Sequence, residues 1–328
     1  MTGLLTTREF VRDYGGELRA IRVAIEPVIL PEREGARLDA DVLARIEIAC
    51  FTGNFDADRA FTRRFLGTAL RAPNLRWMHL PNAGVDDPVF GRFLAQGVRL
   101  TTSSGATAEP IAQAAIAGLL ALARGFPLWW AAQQRHRWAP HRDSELPRDL
   151  RGQNVLVVGV GAIGAEVARL ARALGLRVIG VRRRSKEESD HVDEMHPPSA
   201  LPTLLPRADW LVLACPLTEE TRGLIDAAAL ARLPATAHVI NVARGQVIDE
   251  SALIDALQHR RLAGAYLDVF ATEPLPPESP LWDLPTVLIS PHDSSASRGN
   301  AARVSRLFLR NLERWTRGEP LENEVVAG

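Results

Sequence analysis

The stretch VLVVGVGAIGAEVARLARAL, Val155 to Leu174, decides the fold. An apolar, valine-rich run ends in glycines spaced G-x-G-x-x-G (Gly159, Gly161 and Gly164) and passes into an alanine-rich segment of helical period. In a strand–loop–helix unit of this kind the first glycine makes the tight turn. The second lets backbone approach a pyrophosphate, and the third lets the helix pack closely on the strand. The N–H groups of Ala162, Ile163 and Gly164, at the positive end of the helix dipole, suit an anion. Glycine-rich turns alone are common punctuation, so the strand before and the helix after carry the dinucleotide reading.

Working outward, the runs NVLVVGV, LRVIGV, DWLVLAC, AHVINVA, LAGAYLDVF and TVLIS follow in order, most of them separated by helical segments. Nearly unbroken apolar strands are those covered on both faces, and six of them suggest a complete doubly wound sheet. Upstream, IRVAIEP, RIEIACF, LRWMHLP and VRLTTSS alternate with helical pattern such as DADRAFTRRFLGTALRA, which predicts a second parallel α/β domain. AEPIAQAAIAGLLALARG precedes the large series and NAARVSRLFLRNLERWTRG follows it, the latter with Val304, Leu307, Phe308, Leu309 and Leu312 near helical spacing. The expected fold class is α/β, with two doubly wound parallel-sheet domains. A Rossmann cofactor domain covers 105–297. A smaller flavodoxin-like substrate domain covers 1–104 and is completed by a C-terminal helix at 298–328, with the active site in the cleft between the two.

At 328 residues the chain exceeds what one core ordinarily supports. Lys+Arg and Asp+Glu balance at 39 each, so no global field draws nucleic acid or an acidic membrane, and neither is expected as a partner. The longest apolar stretch, AAIAGLLALA, is about half a membrane span, and the opening MTGLLTTREFVRDYGGE has no signal-peptide core. Cys50 and Cys215 each end an apolar run and read as buried small hydrophobes in a reducing compartment, which places the protein in the cytoplasm. No metal-ligand spacing surrounds His136, in the aromatic arm PLWWAAQQRHRWAP, or His141 just after it; both are expected to face solvent, and no metal is expected.

The strand VIGV ends in Arg182, Arg183, Arg184 and Ser185. Arg182 follows Gly161 by 21 positions, where a dinucleotide fold that selects NAD carries an acid on the ribose hydroxyls. Arginine offers fixed donor forks suited to a 2′-phosphate instead. NADP(H) is therefore the expected cofactor, with NAD(H) still possible. The bland alternative is a solvated basic run continuing into SKEESD.

GVGAIG, CPLTEETRGLI, VINVARGQVIDESALIDAL, AYLDVFATEPLPPESPLW and ISPHDSS occur in this order, and together they resemble the D-isomer-specific 2-hydroxyacid dehydrogenase family from about Leu75 to the C-terminus. The resemblance implies an oxidoreductase that reduces a 2-oxo acid to a D-2-hydroxy acid, of the glyoxylate/hydroxypyruvate reductase kind. Arg244 in NVARGQ would bind the substrate carboxylate and polarise the 2-oxo group. Glu273 in VFATEP and His292 in SPHDSS would be the acid/base pair, histidine supplying the proton and the carboxylate orienting it. Asp268 in LDVF would hydrogen-bond the nicotinamide carboxamide, unless it merely caps a strand end. Cys215, Pro216, Thr221, Val242 and Ala243 would border the cofactor. Ala83, Gly84 and Val85 in HLPNAGVDD would present backbone N–H groups to the carboxylate, a simple turn being the competing reading.

Departures stand beside the likeness. After His292 the chain reads DSSAS where a glycine-containing turn is frequent. Family members dimerise, and Trp129, Trp130 and Trp138 in the aromatic arm suit a homodimer contact. Two readings stay open beside reduction: a cofactor-sensing regulator of the same fold, and a related dehydrogenase acting on a non-2-oxo-acid substrate such as phosphite. The set Arg244, Glu273 and His292 favours an enzyme but does not name the substrate.

Overall fold

A computed structural model describes residues 2–21, 23–31, 37–52, 58–82, 84–85, 87–142, 146–188 and 190–325. Internal contacts divide the chain into two units, Met1–Thr107 with Ser297–Gly328, and Ala108–Ala296.

The first unit holds strands β1 (Thr2–Thr6), β2 (Ile25–Ile29), β3 (Ile46–Cys50), β4 (Trp77–His79) and β5 (Arg99–Thr101) in one parallel sheet ordered β2-β1-β3-β4-β5. The sequence reading passed over β1, because its apolar core is only Gly3–Leu5 between threonines. Leu4 and Leu5 are nevertheless fully buried, since β1 pairs on both edges. One face of the sheet packs on Phe65, Phe90 and Phe93. The other carries Leu4, Ile48 and Trp77 and is covered by Phe10 and Leu18 of helix Arg8–Ala20 and by Phe308, Leu309 and Leu312 of helix Asn300–Thr316. Trp77 stacks between Phe308 at 5.2 Å and Trp315 at 5.4 Å, so the last helix closes the core that the first strand opens.

The second unit holds β6 (Asn154–Val158), β7 (Arg177–Val181), β8 (Glu194–His196), β9 (Trp210–Leu213), β10 (His238–Asn241), β11 (Gly264–Leu267) and β12 (Val287–Ile289). All pairings are parallel, in the order β12-β11-β10-β9-β6-β7-β8. The strand the sequence did not show is β8. Its residues Glu194, Met195 and His196 carry no apolar run, and Glu194 is held at the sheet edge by Arg177 and Arg207. The fold is therefore α/β with two parallel sheets, the second a Rossmann sheet apolar on both faces.

Register positions the chemistry. Ile289, Leu267, Asn241, Leu213, Val158 and Val181 are paired in one row from β12 to β7. The turns that follow those strands therefore leave the sheet along a single carboxyl edge, about 4.8 Å apart per strand. No single helix among the described residues is long and apolar enough to cross a membrane. Cys50 and Cys215 are buried and unpaired.

Two histidines sit within these cores. His79, with no exposed surface, has Nδ1 2.8 Å from Thr101 Oγ1 and Nε2 3.1 Å from Ser103 Oγ, and burial pushes its pKa down to about 3. His238 stacks on Trp210 at 4.4 Å, and burial pushes it down to about 4. Above pH 6.5 both rings are neutral in the folded and unfolded chain. Below it the unfolded chain takes up protons that the folded chain refuses, so stability falls by about 1.4 kcal/mol per pH unit for each ring until its folded pKa is reached. The unfolding midpoint should therefore drop steeply between pH 6.5 and 4. In His79→Gln, less stable at pH 7.5, the drop should be shallower. Parallel melting curves for the two proteins across that range would exclude His79 as a source of acid lability.

Candidate active site

The glycine loop leaves β6 at the centre of the sheet. Gly159 has φ of +94°, and a Cβ there would lie 2.5 Å from the Cys215 backbone, so only glycine fits the turn. A Cβ on Gly164 would lie 2.1 Å from the Gly159 carbonyl oxygen, so the third glycine sets how closely helix Ala162–Ala173 approaches the loop. A Cβ on Gly161, by contrast, would meet open space. With Gly161 capping the helix, the N–H groups of Ala162, Ile163 and Gly164 lack intrahelical acceptors by the geometry of a first turn. The result is an anion cradle free of side chains at its rim, which fits a pyrophosphate.

Beside it the β9 turn is shaped by Thr221, whose hydroxyl donates to the Pro216 carbonyl at 2.7 Å and accepts from the Thr218 N–H at 2.7 Å. Cys215 is buried there, its thiol pushed up to about 11 by burial. On the other side, the β7 turn brings Arg182 to the corner that its spacing implied, but turns its fork inward. Nη1 and Nη2 donate to the two oxygens of Asp190 at 2.9 and 2.6 Å, and the same guanidinium donates to the carbonyls of Arg184 and Ser185. Arg183, Arg184 and Ser185 are exposed, and among the described residues no hydrogen bond holds either of the two arginine side chains.

On the other half of the sheet, β10, β11 and β12 deliver the residues singled out for catalysis. Asn241, fully buried at the end of β10, accepts from the Ala243 N–H at 3.0 Å and donates to the Arg244 carbonyl at 3.1 Å. It folds the turn that presents Arg244, whose Nη1 donates to the Ala243 carbonyl at 2.8 Å. A Cβ on the next residue, Gly245, would lie 1.9 Å from the Phe270 carbonyl carbon. The Arg244 turn and the turn after β11 are thus in backbone contact. The second turn carries Glu273. Its Oε1 accepts from the Phe270 N–H at 3.0 Å, and its Oε2 lies 2.7 Å from His292 Nδ1. Both side chains stay open to solvent, 35% exposed for Glu273 and 46% for His292.

Asp268 is 2% exposed and holds the His292 turn. Its Oδ1 accepts from Ser290 Oγ at 2.6 Å and from the N–H groups of Asp293 and Ser294 at 3.0 Å each, and Oδ2 accepts from Ser294 Oγ. Its carbonyl accepts the His292 N–H at 2.8 Å, and His292 adopts φ of +53°. The DSSAS departure thus supplies a hydroxyl that engages the buried carboxylate. Tyr266 extends this network through Ser290 at 2.8 Å. Asn241, Ser290 and Tyr266 were not singled out from sequence; the only signal was a polar atom inside or directly after an otherwise apolar strand.

Gly84 and Val85 belong to the first unit, in the segment between β4 and helix Pro88–Ala95, and Ala83 lies outside the described residues. Just after the aromatic arm, His141 was expected to face solvent. Instead it folds back on Trp129 at 4.9 Å and reaches the Arg124 carbonyl at 3.2 Å, in the space a side chain at Gly125 would fill.

Comparison with known proteins matches residues 116–294 to the model of the D-isomer specific 2-hydroxyacid dehydrogenase NAD binding domain. The chain is 36% identical over 259 residues to a glyoxylate reductase of Korarchaeum cryptofilum, covering 77% of each protein. It is 33% identical over 254 residues to a glyoxylate/hydroxypyruvate reductase A of Arabidopsis thaliana, covering 77% of this chain and 79% of that one. Among solved structures, a D-isomer specific 2-hydroxyacid dehydrogenase from Xanthobacter autotrophicus, crystallised with NADPH and MES, matches with a TM-score of 0.80 at 32% identity, over 99% of this chain and 98% of the other.

The contact at Gly245 ties Arg244 to the Glu273 turn, and it can be tested. Gly245→Ala forces the two backbones apart, which should lower stability by about 1–3 kcal/mol. Because a small misplacement of reacting groups is costly, catalytic efficiency should fall about tenfold or more. Measuring the unfolding midpoint together with kcat/KM checks both, and a variant unchanged in both would show that the turns do not need each other.

Proposed function

The chain belongs to the D-isomer specific 2-hydroxyacid dehydrogenase family, and on that premise we propose that it reduces a small 2-oxo acid of the glyoxylate and hydroxypyruvate class to the D-2-hydroxy acid, with NADPH preferred over NADH. The observation that carries the reading is the 2.7 Å pairing of His292 with Glu273, on a turn locked against the one bearing Arg244.

The residues present suit the dinucleotide. The side-chain-free cradle of Gly159, Gly161, Ala162, Ile163 and Gly164 would hold the pyrophosphate. Cys215, Pro216, Thr221, Val242 and Ala243 would line its path, Asp268 would meet the carboxamide, and the basic corner that follows Arg182, from Arg183 to Ser185, would meet a 2′-phosphate. When bound, the reduced nicotinamide supplies a hydride.

The chain's own groups do the rest. Arg244 binds the substrate carboxylate and fixes which face of the carbonyl is presented; its planar fork suits two carboxylate oxygens. Glu273 holds His292 through Nδ1, which leaves Nε2 to deliver a proton to the oxygen at C2. Asp268 keeps the His292 turn in its left-handed conformation through the hydrogen bonds to Ser290, Asp293 and Ser294. The relatives named as glyoxylate and hydroxypyruvate reductases support the substrate class, and the NADPH complex of the Xanthobacter protein supports the cofactor. The two unpaired thiols suit a reducing, cytoplasmic setting.

A homodimer goes with this proposal. Helix Phe126–Gln134 buries none of its residues, and Phe126, Leu128, Trp129 and Trp130 are exposed, with Trp138 97% exposed beyond it. So many large apolar side chains on one arm mark an interface.

Steady-state kinetics on a panel of 2-oxo acids with both reduced cofactors tests the reading. Glyoxylate or hydroxypyruvate should be reduced, faster with NADPH, and His292→Ala should lose 10²- to 10⁴-fold in rate, the usual contribution of a positioned proton donor. No turnover with any 2-oxo acid, or an undiminished His292→Ala, would overturn it. Sedimentation velocity checks the assembly: wild type should run as a dimer and Trp130→Glu/Trp138→Glu as a monomer, whereas a monomeric wild type would refute the interface.

A further inference from the structure

We infer that Arg182, the residue standing where a ribose-binding acid would be, does not itself grip the 2′-phosphate. It is a positioning residue that, through Asp190, shapes the loop presenting Arg183, Arg184 and Ser185 as the specificity determinants. The inference rests on the NADPH reading above and concerns how that preference is built.

The geometry is that of a closed pair. The Arg182 side chain is 12% exposed and that of Asp190 8%, an ion pair largely out of water, and the two meet fork to fork through Nη1 and Nη2. The remaining bonds from Arg182 go to the carbonyls of Arg184 and Ser185, so the guanidinium sits inside the turn that follows it. Asp190 ties down the far end as well, by accepting the Glu187 N–H at 2.7 Å; against the upward push of burial, that bond and then the Arg182 pair hold its carboxyl below the usual carboxylate range. The Arg182 N–H donates to the His196 carbonyl at 3.1 Å, which anchors this device to β8.

A guanidinium has five N–H donors, and four hydrogen bonds occupy this one. Turning it toward a phosphate would strand Asp190 as a nearly buried, unpaired carboxylate, a strongly disfavoured arrangement. Arg183 and Arg184 carry no such burden. Both are exposed, and Arg183 acts on Glu220 only through space. They are cations on a loop whose backbone is already held, so binding has their side chains, and not the loop, left to order.

The two ways of using Arg182 predict opposite signs for one substitution. If Arg182 were the phosphate ligand and Asp190 its competitor, Asp190→Asn would free the fork and tighten binding of a 2′-phosphate. If Arg182 positions the loop through Asp190, the same change loosens the loop and weakens that binding. Affinity for adenosine 2′,5′-bisphosphate and for 5′-AMP should be measured by calorimetry on the full chain, alongside kcat/KM for NADPH and NADH. For Asp190→Asn we expect the preference for the bisphosphate to fall at least about tenfold, the scale of one displaced charge-assisted hydrogen bond. Binding of 5′-AMP and turnover with NADH report that the fold is intact. Arg182→Gln should lose preference to a similar extent, and the double variant no more than the worse single one, as expected for two halves of one device. Arg183→Ala/Arg184→Ala should remove the preference with the Arg182–Asp190 pair still in place. Tighter or unchanged bisphosphate binding by Asp190→Asn overturns the inference while leaving NADPH selection standing. A wild type that binds the two nucleotides alike removes the phosphate corner altogether, and the reading it rests on with it.

Discussion

One row of backbone pairing in a parallel sheet constrains everything else in the second unit. Ile289, Leu267, Asn241, Leu213, Val158 and Val181 lie side by side across six strands. Parallel strands need crossover connections, so every turn after this row emerges on the same edge. His292, Asp268, Arg244, Cys215, Gly159 and Arg182 follow in that spatial order although they are scattered through the chain. The order is that of the proposed chemistry. Proton donor and carboxylate anchor stand at one end, the pyrophosphate cradle stands near the middle, and the ribose corner lies beyond it.

Within that edge, polar groups divide by burial into those that hold and those that act. Asn241 and Asp268, at 0% and 2% exposure, shape the Arg244 and His292 turns by accepting backbone N–H groups. A buried polar group left unpaired is costly, so these side chains fix their turns into one arrangement. Glu273 and His292 are each more than a third exposed, as the proposed proton transfer requires. Arg182 falls on the holding side, with Asp190. Glycine does complementary work at Gly159, Gly164 and Gly245, where the second backbone lies too close for any side chain.

Much of this was legible without coordinates. Apolar runs marked most of the strands, and the glycine spacing marked the cradle. The ordered motifs singled out Arg244, Glu273 and His292, which the second unit carries on adjacent strand ends. What escaped had physical reasons. β1 offers only Gly3, Leu4 and Leu5 between threonines, and β8 carries polar residues at a sheet edge where no apolar signal is needed. Asn241, Ser290 and Tyr266 look like ordinary strand residues until their partners are known.

By itself the sequence determined the alternation of strands and helices, and hence parallel sheets, together with two places where only glycine would do, Gly159 and Gly164; Gly245 it did not mark. Those are local properties of composition and spacing, and they survive without knowing what touches what. Only the tertiary structure decided where each polar side chain turned. Arg182 stands at the ribose corner by count of residues, yet Asp190, eight positions on, takes its fork because the loop folds back on itself. Ser294, in the DSSAS turn, reaches a carboxylate that comes from another strand. A hydrogen bond joins atoms that chain folding brings together, and no spacing along the chain specifies it.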